Sequence, residues 1–498
     1  MIGTLIAPIC FAALAIIIFK PVALYFLDRK NLRKFPTLHP LSGLSDIPFM
    51  VESMKGFRSA RLAELHHGKG WPVIRIGPNS LSFGTVDSIK AIYGHNSPTT
   101  KDKQYVNASG THFHLADVVD KKEHARKRKV LASAFAAKNL EDWEYKVGEK
   151  VSRLIDQFDK YVEESAEGPL NYRSWTNLYT IDCLVDICLS TQLHCIERGE
   201  DTVTAEDLAG ITEDVSFRDC LYATFHLVGD LVWSYDWFST IITVANTISP
   251  VYSRLIKLGT GWRNLVHHLT NKRWSRYAAG ERINDIFSSL MDDTAGNAHN
   301  LEWGEVVAEI SLAVSGSSST SNTIASTMQL LIENPQKLEK LQEELDSVME
   351  PEEIIASYDK VKYLPYLRAV IDETLRLYPP ISHGLPRETP KNGLQILDNW
   401  IAGNTTVSVS AYVAHRDPNA FPEPEKFMPE RWLGDEGKQL QPNFIAFSAG
   451  ARGCIVLLAS LAHRYDFFKF SSDWKPRRRE TMNLILGSLP IRIQKRSL

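Results

Sequence analysis

The chain has 498 residues, 44% of them hydrophobic and 23% charged, which suits one large or several average globular domains and excludes a disordered polymer. A formal net charge of −3 supplies no electrostatic case for nucleic acid as a partner. Six scattered cysteines (Cys10, Cys183, Cys188, Cys195, Cys220 and Cys454) form no C-x-x-C pair, which argues against a disulfide framework or a structural zinc and for a reducing compartment.

From the N-terminus, Ile2 to Leu27 is apolar but for Thr4 and Lys20, long enough for a bilayer core of roughly 30 Å. Arg29, Lys30, Arg33 and Lys34 follow it, so the positive-inside rule leaves the rest of the chain cytosolic. A cleaved signal would carry its charges before the apolar run. The sequence therefore predicts a single-pass signal anchor over residues 1–28. A basic, proline-stiffened hinge at 29–45 (Pro36, Pro40) and one body at 46–498 complete the division.

Val73–Ile76 and Ser80–Phe83 flank Gly77-Pro78-Asn79 and read as two strands about a turn. The basic run Lys121–Lys129 opens a helix. Leu140, Val147, Val151, Leu154, Phe158 and Val162 recur at helical spacing and predict one amphipathic helix over Asn139–Val162. Thr202–Thr270 is mixed, with Trp233, Tyr235, Trp237 and Phe238 close together. Glu305–Glu333 reads as one long helix whose centre, Ser315-Gly316-Ser317-Ser318-Ser319-Thr320-Ser321, predicts local distortion, because serines compete for backbone hydrogen bonds. Asn334 caps the next helix with Pro335 at its first position. Glu373 and Arg376 stand three apart, on one helix face, and Thr405–Val413 alternates like a strand.

Near the C-terminus, Phe447-Ser448-Ala449-Gly450-Ala451-Arg452-Gly453-Cys454 sets a lone cysteine in a loop of small residues, two positions after an arginine. Such a loop suits a thiolate on a haem iron, since a tight turn aims peptide N–H groups at the sulfur. Gly450 and Gly453 permit the turn, and Arg452 is placed to neutralise a propionate.

This F-S-x-G-x-R-x-C string resembles the haem-binding loop of the cytochrome P-450 monooxygenases. Glu373-Thr374-Leu375-Arg376-Leu377-Tyr378-Pro379-Pro380 and Phe427-Met428-Pro429-Glu430-Arg431-Trp432 resemble further parts of that family, in its order. The resemblance implies a mainly α fold with small β-sheets, a haem held by Cys454, and Glu373, Arg376 and Arg431 as a buried structural triad. It implies that Phe447 and Arg452 belong to the cofactor loop. His124 and Arg128 fall on the W-x-x-x-R motif that meets the propionates, with His124 replacing the tryptophan, and Arg387 is a second propionate partner. On the long helix it puts the catalytic acid position at Ser318 and the relay hydroxyl at Ser319, or at Thr320 after a shift of one residue. It further implies O2 as co-substrate, an NADPH-cytochrome reductase docking on the lysines around Arg128, and an endoplasmic-reticulum membrane location. Ile381–Pro390, Val407–Pro418 and His114–Asp120 resemble fungal benzoate para-hydroxylases most closely. The implied chemistry is hydroxylation of a benzoate-like aromatic acid or of a secondary-metabolite intermediate.

One departure stands out. After Cys454 and Ile455 the family pattern is cut short by roughly ten residues, about 15 Å of helix, and Val456–Phe467 reads as the end of a helix joined to its beginning. A misassigned intron, a deletion that costs haem binding, and a deletion absorbed by local rearrangement all remain open. The missing carboxylate at Ser318 keeps a reductase-independent isomerase or dehydratase open as well.

Overall fold

The structure is a computed structural model, and it describes residues 19–135, 137–164, 168–293, 295–446 and 451–497. The architecture is mainly helical with small sheets, of which the two larger frame the candidate site. Strands β1 (Val73–Gly77), β2 (Ser80–Phe83), β3 (Thr100–Lys101), β4 (Leu170–Asn171), β5 (Arg387–Glu388), β6 (Thr406–Val409), β7 (Tyr465–Lys469) and β8 (Pro490–Lys495) build these sheets. The first has the order β1-β2-β6-β5-β3 and the second β7-β8-β4.

Seven helices frame the candidate site: α1 (Lys121–Ala134), α2 (Glu144–Glu163), α3 (Tyr172–Leu189), α4 (Trp303–Glu333), α5 (Pro335–Asp346), α6 (Pro365–Leu377) and α7 (Ala451–Arg464). Helix α4 crosses the whole body and packs most extensively on α3. Its C-terminal half is buried almost all round, from Ser321 to Ile332, as expected of a helix at the centre of a large core.

Several sequence expectations change in the fold. The amphipathic helix predicted over Asn139–Val162 is broken at Trp143, whose ring is buried and whose indole N–H donates to Asn284 O at 2.9 Å. The predicted distortion of the serine run does not interrupt α4, because its hydroxyls turn back on the helix. Ser315 donates to Leu312 O at 2.7 Å, and Ser319 to Gly316 O at 3.0 Å. Asn334 precedes α5 but donates backwards to Leu330 O at 2.8 Å and does not cap α5. The strand predicted over Thr405–Val413 ends at Val409, where Ser410 caps a short helix at Ala411–Ala414.

The expected hinge is packed onto the body. Leu32 and Phe35 are buried with Phe83 and Ile92, and Thr37 bridges to Arg75 beside β1. Residues 19–27 are helical, and the first 18 residues of the predicted anchor lie outside the described residues. Among the described residues, no helix is long and apolar enough to cross a membrane.

Candidate functional site

The triad implied by the resemblance forms a hub. Glu373 is fully buried and accepts from Arg376 Nε and Nη2 at 2.8 and 2.9 Å, and from Arg431 Nε at 3.1 Å. Trp432 Nε1 and the Met428 N–H, both at 2.9 Å, fill its remaining lone pairs. Arg376 spends its other donors on the carbonyls of His415, Pro424 and Lys426. Every partner is satisfied, which is what a buried ion pair requires. The hub thereby fixes the Pro422–Trp432 segment against α6.

A second cluster is cationic and has no anion of its own. Strands β3 and β5 pair antiparallel with Lys101 directly opposite Arg387. Like charges facing each other across a ladder are destabilising. His124 and Arg128 of α1 act on the same spot. Burial holds the His124 imidazole below its usual range, and Lys101, Arg128 and Arg387 depress it further. Burial likewise pushes the Lys101 ammonium down to about 8, with Arg387 adding to the effect. Among the described residues, none of these four groups forms a salt bridge. The nearest acids are engaged elsewhere: Asp117 with His114 at 2.9 Å, Glu309 with Lys127 at 3.2 Å and with the Leu115 N–H.

Two of these cations, Lys101 and Arg387, are held in place by the fold, while Arg128 is exposed. Lys101 Nζ donates to the carbonyls of Leu115 and Ala116, both at 2.8 Å. Arg387 donates to Tyr105 OH at 3.2 Å and lies over the Tyr93 ring at 5.2 Å. Tyr93 is itself locked by Leu385 O and the Val409 N–H. Helix α1 is clamped to α4 through Lys127 to Glu305 at 2.8 Å and Arg126 to the same carboxylate. A rigid patch of unpaired cations is complementary to a compact ligand that carries carboxylates. Lys101 was not singled out from the sequence, because only the β3–β5 register reveals it.

Helix α4 runs from this clamp with Glu309, Gly316 and Thr320 on one stripe, seven and four residues apart. Thr320 is half-buried and, among the described residues, its hydroxyl has no hydrogen-bond partner. Ser319 keeps its proton on Gly316 O. Ser318 points elsewhere: it is buried, and its hydroxyl accepts from Asn483 Nδ2 at 3.2 Å. The expected acid position thus belongs to the contact with the C-terminal segment. Counting residues back from Pro335 does not fix the rotational phase of the helix, and of the expected positions it is Thr320 that shares the stripe of Glu309 and Gly316.

Beside the cluster, a cavity is lined among others by Arg58, Trp233, His383, Thr406 and Ser408, with Gln104 and Pro386 adjoining Tyr105 and Arg387. The segment His383–Arg387 therefore reaches from the cavity to the cation patch.

Cys454 is not where the loop reading put it. It is the fourth residue of α7, in a helix that also includes Gly453. Its side chain is 3% exposed and belongs to the largest apolar core, and burial alone pushes the thiol up to about 12. The titratable groups it influences are Tyr172 and Tyr179 of α3. Phe447 lies outside the described residues, as does the side chain of Arg452. The cation patch thus fits the carboxylates of a haem, whereas Cys454 stands in helix α7 with its side chain packed in the apolar core and not in an open turn.

The family model described as Cytochrome P450, written here P-450, matches residues 66–455, well over half of the chain. This chain belongs to the cytochrome P-450 family. Among curated proteins it is 27% identical to the cytochrome P-450 monooxygenase ORF9 of Penicillium roqueforti, over 94% of this chain and 90% of that protein. It is 29% identical to the monooxygenase astD of Aspergillus oryzae, covering 84% and 80%, and 26% identical to stcF of Emericella nidulans, covering 93% and 94%. The P-450 family consists of haem-thiolate enzymes, and the monooxygenase names of these relatives make this chain one of its monooxygenases, which use O2 and a redox partner. The family match ends at Ile455, one residue after the cysteine, although α7 continues to Arg464.

Proposed function

We propose that this fold serves haem-dependent hydroxylation of a small organic substrate in fungal secondary metabolism. The observation that carries the reading is the patch of Lys101, His124, Arg128 and Arg387, four cationic or protonatable groups with no salt bridge among the described residues. A benzoate-like aromatic acid is the first substrate class, on the sequence likeness of Ile381–Pro390 and Val407–Pro418, and a polyketide- or terpenoid-like intermediate the second. The electron donor is an NADPH-cytochrome reductase that meets the exposed lysines of α1, and residues 1–28 anchor the chain in the endoplasmic-reticulum membrane. Thr320 is the relay hydroxyl and Arg387 and Arg128 are the propionate partners. Arg452 and Phe447 complete the cofactor loop in this reading.

Titration of the protein with haemin tests it. Arg387→Glu and Arg128→Glu are each expected to weaken haemin binding at least tenfold while circular dichroism stays unchanged. Unaltered affinity in both variants overturns the reading.

A reductase-independent isomerase or dehydratase is the second reading. It is favoured by one observation: the position expected to carry an acid is Ser318, whose hydroxyl is occupied by Asn483. Product formed without NADPH would select it.

A further inference from the structure

The downstream half of α7 is fixed in place by specific polar contacts. Ser460 Oγ accepts the Ala356 N–H at 2.9 Å. His463 sits between Asp346 at 2.8 Å and Glu350 O at 3.2 Å, and Arg464 and Tyr465 both bind Asp159 of α2. These contacts set the register of the helix from its C-terminal end and continue into β7, which pairs residue by residue with β8. Any shortfall in length must therefore be taken up at the N-terminal end, where Cys454 lies.

The side chains around the cysteine agree. Ile455, Val456, Leu457, Leu458 and Ala459 are all buried in the main core, so the stretch that follows Cys454 is packed as helix interior. Helix α7 packs on α2, α4, α5 and the short helix Tyr358–Val361. The cation patch is carried by α1, β3 and β5. At 1.5 Å per residue, a helix short by roughly ten residues carries its first turn about 15 Å away from where a full-length helix would begin.

We infer that, at the present spacing, Cys454 is withdrawn into the core as a helix residue and does not ligate haem iron, and that about ten residues between Ile455 and Val456 are needed to return it to the cation patch. The inference rests on the reading of that patch as the haem site.

The test uses the full chain, a lengthened chain with a ten-residue helical insert after Ile455, and Cys454→Ala in each. All four are titrated with haemin, and the carbon-monoxide difference spectrum of the reduced protein is recorded. The expected result is no red-shifted thiolate-type band in the chain as it stands, and a haemin spectrum there that Cys454→Ala leaves unchanged. The lengthened chain gains the band, and its Cys454→Ala variant loses it. A thiolate-type band in the unmodified chain that disappears with Cys454→Ala overturns the inference, and this comparison does not depend on the insert folding. A lengthened chain that binds haemin without the band overturns the inference alone. A lengthened chain that is folded by circular dichroism and binds no haemin overturns the haem reading of the patch together with it.

Discussion

The backbone N–H of Ile445 donates to His415 Nε2 at 3.0 Å, while Nδ1 of the same ring lies 3.2 Å from Arg376 O. An N–H facing Nε2 makes that nitrogen the acceptor, so the proton sits on Nδ1 and is donated to the carbonyl. The ring is fully buried and stacks on Phe444 at 5.2 Å. One imidazole thus joins the Glu373–Arg376 hub to the segment that enters the cysteine loop.

That arrangement predicts acid sensitivity. Burial, with help from the Arg376 and Arg416 charges, holds His415 down at about 3. The fold keeps the neutral ring, so its contribution is complete above the unfolded value near 6.5 and is lost as pH falls towards 3. A gap of this size corresponds to about 5 kcal/mol at the acid end. The urea midpoint should decline between pH 6.5 and 4 in the native protein. His415→Gln is expected to be less stable at pH 7 and to show a flatter decline. A variant with the same slope as the native protein would assign the acid sensitivity to another group.

The hub itself predicts an asymmetric response to substitution. Arg376→Ala leaves the buried carboxylate of Glu373 with three of its five donors and strands three carbonyls, an effect of about 3–5 kcal/mol that is a large part of the stability of a typical domain. Arg431→Ala removes a single bond to Glu373 and two backbone contacts at the surface, for about 1–3 kcal/mol. Soluble yield and denaturant midpoints should therefore rank native, Arg431→Ala and Arg376→Ala in that order. Equal losses would mean that the two arginines act as one unit.

Of the hub, spacing alone gives the pair Glu373 and Arg376, which share one turn of α6; Arg431 is implied by the resemblance, and the Trp432 and Met428 donors appear only in the fold. Other features depend on relations that spacing does not encode. Lys101 became part of the cation patch through strand register, and the contact of Ser318 with Asn483 depends on the rotational phase of α4. The break at Trp143 follows from a tertiary hydrogen bond to Asn284 O, which a periodicity of apolar residues cannot foresee. The short stretch after Cys454 was visible as a departure from a pattern. Its consequence was not, because that depends on Ser460, His463 and Arg464 holding the far end of the helix.

The cation patch predicts discrimination between ligands that differ only in charge. Protoporphyrin and its dimethyl ester share a ring, and only the first has carboxylates to place between Lys101 and Arg387. Binding followed by fluorescence quenching should favour the free acid, and raised salt should narrow the difference. Arg387→Gln is expected to reduce free-acid affinity about tenfold, the equivalent of roughly 1.4 kcal/mol, and to leave the ester unchanged. It should also raise the melting temperature slightly, since a cross-strand repulsion is removed. Equal loss for both ligands would show that Arg387 acts through packing on Tyr93 and not through charge.

Ser318 and Thr320 are two residues apart on α4 and should respond in opposite ways. Ser318 is buried and accepts from Asn483, whose side chain is also buried, so Ser318→Ala leaves an amide donor without its partner. The expected loss is about 1–3 kcal/mol, read as a lower denaturant midpoint with an unchanged slope. Thr320 makes no such bond among the described residues, and alanine has the higher helix propensity, so Thr320→Ala should be neutral or slightly stabilising. If Thr320 handles a proton, its removal should show only in turnover, as oxygen consumed without product by the haem-loaded lengthened chain. A Thr320→Ser variant, which keeps the hydroxyl, should restore the coupling. A destabilised Thr320→Ala with normal coupling would return this residue to an ordinary place in the core and reopen Ser319 as the relay.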